Sequence, residues 1–308
     1  MAPPQQLRLT APLQVAAGGS GSDSSSSFVP PARDYTQDLP DEILALVFAS
    51  LSPTDRNACS LTCSRWMEVD ATTRHRLSLD ARAALGNAAT ALFSRFTAVT
   101  KLALRCARDS GLDSLSDHGA AALAAALPSE RLARLKLRGL RKLSDAGLAS
   151  LAAGAPAIRK LSIASCTFGP RAFVAVLQSC PLLEDLSVKR LRSVADTSGA
   201  ASSIAEEIKF PPALSLRSVC VKDLYNALCF VPLVASSPNL RSLKILRCSG
   251  AWDLPLERWA ALKKLCIKGC PVSDRGMEAL NGGCPGLVKV KLKRCRGVSY
   301  ECIENLKV

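Results

Sequence analysis

The sequence is poor in the residues that catalysis and metal binding require. Its 308 residues include only two histidines, His75 and His118, and neither belongs to a pattern that pairs a base with a nucleophile. The Gly-x-x-x-x-Gly-Lys phosphate loop, the Gly-x-Ser-x-Gly motif and the Cys/His ladder of a RING domain are all missing. We therefore expect no catalytic residue, and the chain is predicted not to be an enzyme.

Long apolar runs and a compact set of cysteines are missing as well. The longest apolar stretches fall well short of the ~18 residues that span a bilayer, which argues against a membrane protein. The 13 cysteines are odd in number and mostly lie within a repeated pattern, which favours the reducing nucleus or cytoplasm. Cys59 and Cys63 are four residues apart but have no second ligand pair, so no metal site is expected.

What the chain does contain is an internal repeat. The pattern apolar-x-x-apolar-x-apolar occurs eight times, with steps near 25 residues, a period typical of leucine-rich repeats built from one strand and a returning helix. One unit cannot bury its own apolar face, so the units must stack. The predicted fold is α/β, a horseshoe-shaped solenoid with a curved parallel sheet. The copies begin at Val99, Leu132, Ile158, Leu183, Leu216, Leu240, Leu262 and Leu287.

Two polar or reactive residue types recur with the repeat. Cysteine and leucine alternate eight residues after the first apolar position of each unit, which predicts packing in the core rather than metal binding; the cysteines are Cys166, Cys248, Cys270 and Cys295. Aspartate recurs in Ser-Asp-x-Gly before the helix of three units, at Asp117, Asp145 and Asp274. These acids could line a cation site, but helix capping is the favoured interpretation.

The residues before the repeats divide into a tail and a short helical module. Residues 1–36 are rich in Ser, Gly and Pro and are predicted to be disordered, because they cannot bury enough apolar surface to offset the ordering entropy. Residues 37–80 show helical spacing of apolar residues, and Ser52 with Pro53 indicates the start of a second helix. Residues 81–308 are assigned to the solenoid.

This helical module resembles the F-box. The residues that carry the resemblance are Leu39, Pro40, Glu42, Val47, Phe48, Leu51, Asp55, Cys63 and Trp66, while Thr62 and Ser64 depart from the family pattern. F-boxes bind the Skp-type adaptor of cullin–RING ubiquitin ligases, and the resemblance implies adaptor contacts at Leu39, Pro40, Ile43, Leu44 and Leu51. The alternative is an ordinary three-helix cap that protects the first repeat of a leucine-rich scaffold or inhibitor.

The repeats also have a family character. Leu262 to Cys270, followed by Val272-Ser-Asp-Arg-Gly-Met277 and Cys284-Pro285, resembles the cysteine-containing repeats of F-box proteins. Together with the Ser-rich head, the chain is similar to the plant F-box/leucine-rich-repeat group that includes the VIER F-box proteins. Members of that group usually carry a longer array, so a chain truncated after Val308 is expected. The resemblance implies a substrate receptor in ubiquitin-dependent protein degradation, located in the nucleus or cytoplasm.

Charge is concentrated at the strand positions that should face away from the core. Of 24 such positions, fourteen are basic and one is acidic, against a net charge of +14 for the whole chain. A concave face of one sign attracts an anionic ligand. The candidate substrate-binding residues are Arg134, Lys136, Arg138, Lys160, Lys189, Lys222, Lys244, Lys264, Lys268, Lys289, Lys291 and Lys293.

Three interpretations of this basic face stay open at the level of sequence. The charge could simply keep an Ala-rich protein soluble; it could bind an acidic or phosphorylated segment of a substrate protein; or it could hold a small polyanion such as an inositol polyphosphate, as related plant proteins do. No other cofactor is expected. Nucleic acid is disfavoured because the strands lack aromatic residues for base stacking.

Overall fold

The computed structural model describes residues 34–107, 113–191, 208–225, 227–249 and 261–304. Most of the predicted disordered tail, residues 1–33, lies outside them. The chain divides between Pro40 and Asp41 into two units, and each is described by itself. The described part of the first unit contains the 3-10 helix Tyr35–Asp38, which begins after Asp34, whose carboxylate accepts the Thr36 N–H at 3.0 Å.

The second unit begins with three short helices, as the sequence predicts. They are α1 (Asp41–Ser50), α2 (Pro53–Cys59) and α3 (Ser64–Thr73). Ser52 caps α2, because its hydroxyl oxygen accepts the Asp55 N–H at 3.3 Å and Pro53 occupies the first helical turn. The predicted start of the second helix is therefore confirmed.

The three helices share a small core of their own. Leu44 and Phe48 of α1 pack on Val69 of α3, and these three side chains are the fully buried members of the cluster. Trp66 adds an edge-on contact to Phe48, with ring centroids 5.7 Å apart and an interplanar angle of 81°. So small a core supplies little stability by itself, which makes the remaining attachments of the module important.

A buried carboxylate attaches the helices to one another and to the repeats. Asp70 of α3 is fully buried and forms ion pairs with Arg56 of α2 and with Arg74, whose Nη2 lies 2.7 Å from Asp70 Oδ2. The Arg74 guanidinium also lies over the ring of Phe96, 5.4 Å from its centroid, and Phe96 belongs to the core of the repeats. One acidic side chain thus joins two helices to the start of the solenoid.

The repeats form one parallel sheet whose nine strands follow sequence order. Each strand has five residues, and neighbouring strands pair in register, as Leu77 with Leu102 and Leu102 with Leu135. The strands are β1 (Arg76–Asp80), β2 (Lys101–Arg105), β3 (Arg134–Arg138), β4 (Lys160–Ala164), β5 (Asp185–Lys189), β6 (Ser218–Lys222), β7 (Ser242–Leu246), β8 (Lys264–Lys268) and β9 (Lys289–Lys293).

Strand β1 is an addition to the eight predicted repeats. It lies inside the range 37–80 that the sequence assigned to the helical module, yet it pairs along its whole length with β2. The residue that corresponds to Val99 in this unit is Arg74, so the apolar pattern lacks its first member. Because Arg74 binds Asp70 instead of entering the repeat core, this first repeat is hidden from a purely apolar pattern.

Short helices return the chain between strands and cover one face of the sheet. Alternate strand residues such as Leu135 and Leu137 are buried in a continuous core with helix residues such as Leu123 and Leu151. The fold is therefore an α/β leucine-rich-repeat solenoid that follows a helical module. The helices are α4 (Leu85–Arg95), α5 (Asp117–Ala126), α6 (Asp145–Ala153), α7 (Arg171–Ser179), α8 (Val231–Ala235), which follows the 3-10 helix Ala227–Phe230, α9 (Asp274–Gly283) and α10 (Tyr300–Glu304).

The Ser-Asp-x-Gly motif links neighbouring repeats. The serine, not the aspartate, caps each helix: Ser144 accepts the Ala146 N–H at 3.2 Å. The aspartate reaches the next unit, so that Asp117 accepts the Ser144 N–H at 2.8 Å and Asp145 accepts the Gly169 N–H at 2.7 Å. Predicting the aspartates as caps of their own helices was thus wrong by one residue, since the serine already occupies that position.

The recurring cysteines pack in the core, as predicted. Cys166, Cys248 and Cys270 are buried, Cys295 is half-buried against the same core, and the Cys166 thiol donates to the Ala164 carbonyl oxygen at 3.4 Å. Burial raises the pKa of the Cys166 and Cys180 thiols to about 11, which keeps them protonated at neutral pH. In the described residues no group of three or more His, Cys, Asp or Glu side chains is placed to hold a metal ion. Likewise, no described helix is both long and apolar enough to span a membrane.

Candidate functional site

Helix α1 is apolar on both of its sides. Its inner side supplies Leu44 and Phe48 to the small core, while Ile43, Leu46 and Val47 remain 43, 67 and 44% exposed. Three large apolar side chains on one ten-residue helix are left without cover. Exposed apolar surface of this kind marks interaction sites in soluble proteins, so this side of α1 is a candidate docking surface.

The adaptor contacts expected from the sequence fall into different environments. Leu39 and Pro40, in the first unit, are exposed, with Leu39 36% accessible. Ile43 is exposed and Leu51 is half-buried. Leu44 is a correction: its side chain is only 2% exposed because it packs on Phe48 and Val69, so it supports the helices instead of offering surface.

Sequence reasoning missed other exposed apolar residues of the module. Leu46 lies between Leu44 and Phe48, which are both buried. Helical periodicity places it on the other side of α1, so its exposure could have been predicted from the sequence. Leu61, 82% exposed, follows α2, and Met67 of α3 is 42% exposed. The apolar docking surface of α1 is therefore accompanied by exposed apolar side chains on the two segments after it.

The second candidate site is the face of the sheet that the helices do not cover. Register pairing arranges its side chains in three rows that cross all nine strands. The first row runs Arg76, Lys101, Arg134, Lys160, Asp185, Ser218, Ser242, Lys264, Lys289; the second runs Ser78, Ala103, Lys136, Ser162, Ser187, Cys220, Lys244, Cys266, Lys291; the third runs Asp80, Arg105, Arg138, Ala164, Lys189, Lys222, Leu246, Lys268, Lys293. The twelve predicted substrate-binding residues all lie on this face, in agreement with the alternation; their binding role stays a prediction.

The positive charge is not uniform along the rows. It forms an N-terminal patch on β2 and β3, consisting of Lys101, Arg105, Arg134, Lys136 and Arg138, and a C-terminal patch on β8 and β9, consisting of Lys264, Lys268, Lys289, Lys291 and Lys293. The four strands between them, β4 to β7, carry only four lysines on this face, Lys160, Lys189, Lys222 and Lys244. There the Lys160 charge is offset by Asp185, whose carboxylate lies 2.6 Å away.

Within the N-terminal patch, like charges are crowded together. The pKa of Lys136 is lowered, chiefly by partial burial and then by the charges of Arg105 and Arg134 beside it. Among the described residues none of the ten patch side chains forms an ion pair with an acid. An anionic ligand would relieve this repulsion, since it would bring negative charge to the patch.

Each patch opens, at the carboxyl ends of its strands, into a cavity lined by arginine. The larger cavity, about 980 Å³, is lined by four arginines and two aspartates, namely Arg105 and Arg138 of the N-terminal patch, Arg141, Arg190, Asp80 and Asp223. The smaller, about 670 Å³, is lined by Lys268 of the C-terminal patch together with Arg247, Arg294 and Arg296. Guanidinium groups bind phosphate and carboxylate groups in bidentate fashion, so both cavities suit anions.

The residue after most strands has a left-handed backbone, which shapes this edge. Glycine suits that conformation at Gly139 and Gly269, but Arg190, Arg247 and Arg294 adopt it with φ of 51°, 52° and 54°. A left-handed backbone is unfavourable for a residue with a side chain. The three arginines occupy it all the same, and each lines one of the two cavities.

Asp223, also left-handed with φ of 54°, lies between two of these arginines. It accepts from Arg247 Nε at 2.6 Å and from Arg190 Nε at 3.2 Å. These bonds, that from Arg247 foremost, hold the pKa of the Asp223 carboxyl below its usual range. Asp223 itself lines the larger cavity, and its bond to Arg247 connects it to the lining of the smaller one.

Together, these features define a leucine-rich-repeat solenoid preceded by a helical module with an uncovered apolar side. Residues 36–78 match the family model described as F-box-like, which covers α1 to α3 and the start of β1. The module is therefore an F-box-like domain.

Solved structures with a similar course of the chain include two repeat proteins. A chain of the yeast Rad7–Elc1 complex aligns with a TM-score of 0.47 and 17% identity, over 88% of this chain and 66% of that chain. An internalin, inlF from Listeria monocytogenes str. 4b F2365, aligns with a TM-score of 0.39 and 12% identity, over 87% of this chain and 92% of that chain. The chain thus spans just under two thirds of the yeast chain.

Proposed function

We propose that the protein is a non-catalytic substrate-recognition subunit of an SCF-type cullin–RING E3 ubiquitin ligase. In this proposal the F-box-like domain binds a Skp-type adaptor, and through it a cullin. The sheet face binds a target protein for ubiquitination and proteasomal degradation. The observation that carries the proposal is the apolar side of α1, with Ile43, Leu46 and Val47 exposed in a domain that matches the F-box-like family.

The way in which the domain is attached supports adaptor binding over a purely capping role. A cap would bury its apolar residues against the repeat that it covers. Here α3 contacts the repeats through Ala71, which is buried in their core, and Arg74 lies over Phe96, while the large apolar side chains Ile43, Leu46 and Val47 stay exposed. Full burial of a side chain of this size contributes about 1.5–3 kcal/mol, so covering these three partly exposed side chains would favour binding of a partner.

The sheet face supports the second half of the proposal. We infer that an acidic or phosphorylated segment of the target binds there, because ten basic side chains in two patches lack acidic partners among the described residues. A small polyanion such as an inositol polyphosphate is the alternative ligand. The outward strand positions hold no aromatic side chain, which disfavours nucleic acid.

We extend the proposal to the finer features implied by sequence resemblance. The protein would belong to the plant F-box/leucine-rich-repeat group similar to the VIER F-box proteins, and would act in the nucleus or cytoplasm. It would need no metal or organic cofactor, since the ubiquitin-transferring chemistry would belong to other subunits.

Adaptor recovery tests the proposal against the rival scaffold or inhibitor. Full-length tagged protein is incubated with a Skp-type adaptor, and the fraction recovered is compared with that of the double variant Leu39→Ala/Pro40→Ala. We expect recovery to be lost in this variant and kept in Leu214→Ala, a matched control whose leucine is 63% exposed far along the solenoid. If adaptor recovery were unchanged in the double variant, or if the unmodified chain recovered no adaptor, the helices would be assigned a capping role only.

Target capture tests the sheet face separately. The triple variant Lys289→Glu/Lys291→Glu/Lys293→Glu reverses the charge of β9, whose lysines are exposed. We expect weaker capture of targets with unchanged adaptor recovery, and the same weakening when salt is raised, since exposed charges are screened. Equal capture by both forms would indicate that these lysines serve only solubility.

A further inference from the structure

We infer that the sheet face recognises two anionic groups held at a fixed spacing on one extended peptide segment. This inference rests on the proposed role of the face in target binding and deepens it. It specifies a bipartite ligand, where a uniformly basic surface would respond only to total charge. The ligand chemistry is a pair of phosphate groups or carboxylate clusters on a peptide.

The first argument is the division of the charge. Five basic residues lie on β2 and β3 and five on β8 and β9, and each group is continuous across its two strands. Between them, the middle row consists of Ser162, Ser187, Cys220 and the single lysine Lys244, and Asp185 offsets the charge of Lys160. The electrostatic attraction for an anionic group is therefore strongest at the two patches and weakest at the strands between them.

The second argument is that each patch has its own cavity. Arg105 and Arg138 continue into the larger cavity, while Lys268 continues into the smaller. Asp223 stands between Arg190 of the first and Arg247 of the second and binds both. Its carboxylate, which also lines the larger cavity, offsets part of the charge of both arginines, so the attraction for an anion is weaker between the cavities than at either patch.

The spacing follows from sheet geometry. Parallel strands lie about 4.8 Å apart, so six steps, from between β2 and β3 to between β8 and β9, cover about 29 Å along the sheet. An extended peptide advances about 3.3 Å per residue, which places the two anionic groups about nine residues apart. Lys189 and Lys222 of the third row lie beneath the intervening segment and maintain a weaker attraction there.

Synthetic peptides provide the test. Each carries two clusters of three glutamates whose centres are separated by about five, nine or eighteen residues through a polyproline spacer, which is stiff and advances about 3.1 Å per residue. A fourth peptide has all six glutamates in one run, and a parallel set carries phosphoserine in place of glutamate. Binding to the full-length protein is followed by fluorescence anisotropy at low and moderate salt.

We expect the nine-residue spacing to bind about 10- to 100-fold more tightly than the others, because only this peptide engages both patches at once. The triple variants Arg134→Glu/Lys136→Glu/Arg138→Glu and Lys289→Glu/Lys291→Glu/Lys293→Glu should each remove that advantage and leave the other patch able to bind a single cluster. Glutamine at the same positions provides a milder pair of variants should charge reversal disturb folding.

Several results would overturn the inference. Equal affinity for all three spacings and the single run would show that only total charge matters. Tighter binding of single-stranded DNA of matched length would assign the face to nucleic acid. Because these assays contain no adaptor, a failure of adaptor recovery would overturn the ubiquitin ligase proposal while leaving the spacing result intact. A gain for phosphoserine over glutamate at nine residues identifies phosphate as the preferred group.

Discussion

The helical domain and the repeat sheet use their apolar residues in opposite ways. From β2 to β8 the repeats bury the apolar strand residues that face the core, as Leu102, Leu104 and Leu137 are at most 1% exposed, and present charge to solvent. The helical domain buries three side chains in its own cluster and leaves Ile43 and Leu46 uncovered. The first region is stabilised by its own packing, whereas the second leaves apolar side chains exposed and contains a buried ion pair.

The largest effect should come from removing the centre of that ion pair. Asp70→Ala leaves Arg56 and Arg74 partly buried without their acid, and loss of one partner of a buried pair costs about 3–5 kcal/mol. We expect the helical domain to unfold well before the sheet, measured as early loss of hydrogen-exchange protection in α1 to α3.

Asp41→Ala is the matched control for this prediction. It removes the exposed pair between Asp41 and Arg65, whose atoms lie 2.8 Å apart, and surface pairs contribute about 0–1 kcal/mol. If both variants kept equal protection in the helices, the buried pair would have no special part in holding the domain.

The second prediction separates core from surface within one helix. Leu44→Ala should lower the free energy of unfolding of the domain by about 2–5 kcal/mol, because Leu44 is buried. Leu46→Ala, two residues away and 67% exposed, should change it by less than about 0.5 kcal/mol. Under the proposed function, Leu46→Ala should instead weaken adaptor recovery. If one of the two variants lowered both the thermal stability and the adaptor recovery more than the other, the division of α1 into a core side and a docking side would be contradicted.

Apolar spacing alone was enough to predict most of the sheet and one side of the helical domain. Residues such as Leu135 and Leu137 repeat because each strand must cover the same core, and this regularity is visible in sequence. Strand β1 escaped because Arg74 replaces the apolar residue that corresponds to Val99. The link between Arg74 and Asp70 depends on how α3 meets the first repeat, which apolar spacing does not encode.

The candidate site could be predicted in part for the same reason. Alternation along the strands placed Lys136 and Lys291 on the outward face correctly. It could not show that Leu44 turns inward while Ile43 stays exposed, because both lie on the apolar side of one helical pattern and only the packing of α3 distinguishes them. Nor could it place Arg190 and Arg247 around Asp223, since those residues follow the strands and have a left-handed backbone.

A third prediction concerns the links that make the repeats one cooperative body. Asp145→Ala removes the acceptor of the Gly169 N–H of the next unit, and a hydrogen bond to a charged group contributes about 1.5–3 kcal/mol. We expect the free energy of unfolding to fall by an amount near the lower end of this range, because Asp145 is only half-buried. Asp185→Ala, which loses the exposed pair with Lys160, is the control and should cost about 0–1 kcal/mol in urea denaturation. Equal losses would indicate that Asp145 contributes no more than a surface charge.

The smallest expected effect is a pH dependence at Asp223. Its folded-state pKa is lowered by Arg247 and Arg190, so its contribution to stability is complete above the ordinary aspartate pKa of about 3.9 and is lost as pH falls through the lower folded value. The stability difference between the native chain and Asp223→Asn, measured by urea denaturation, should be constant above about pH 5 and shrink below about pH 4. Added salt should reduce the difference at neutral pH, because Arg190 and Arg247 are more than half exposed. A difference that stayed unchanged down to pH 3 would mean that Asp223 acts through the shape of its turn and not through its charge, and the weaker attraction for anions between the two cavities would lose its support.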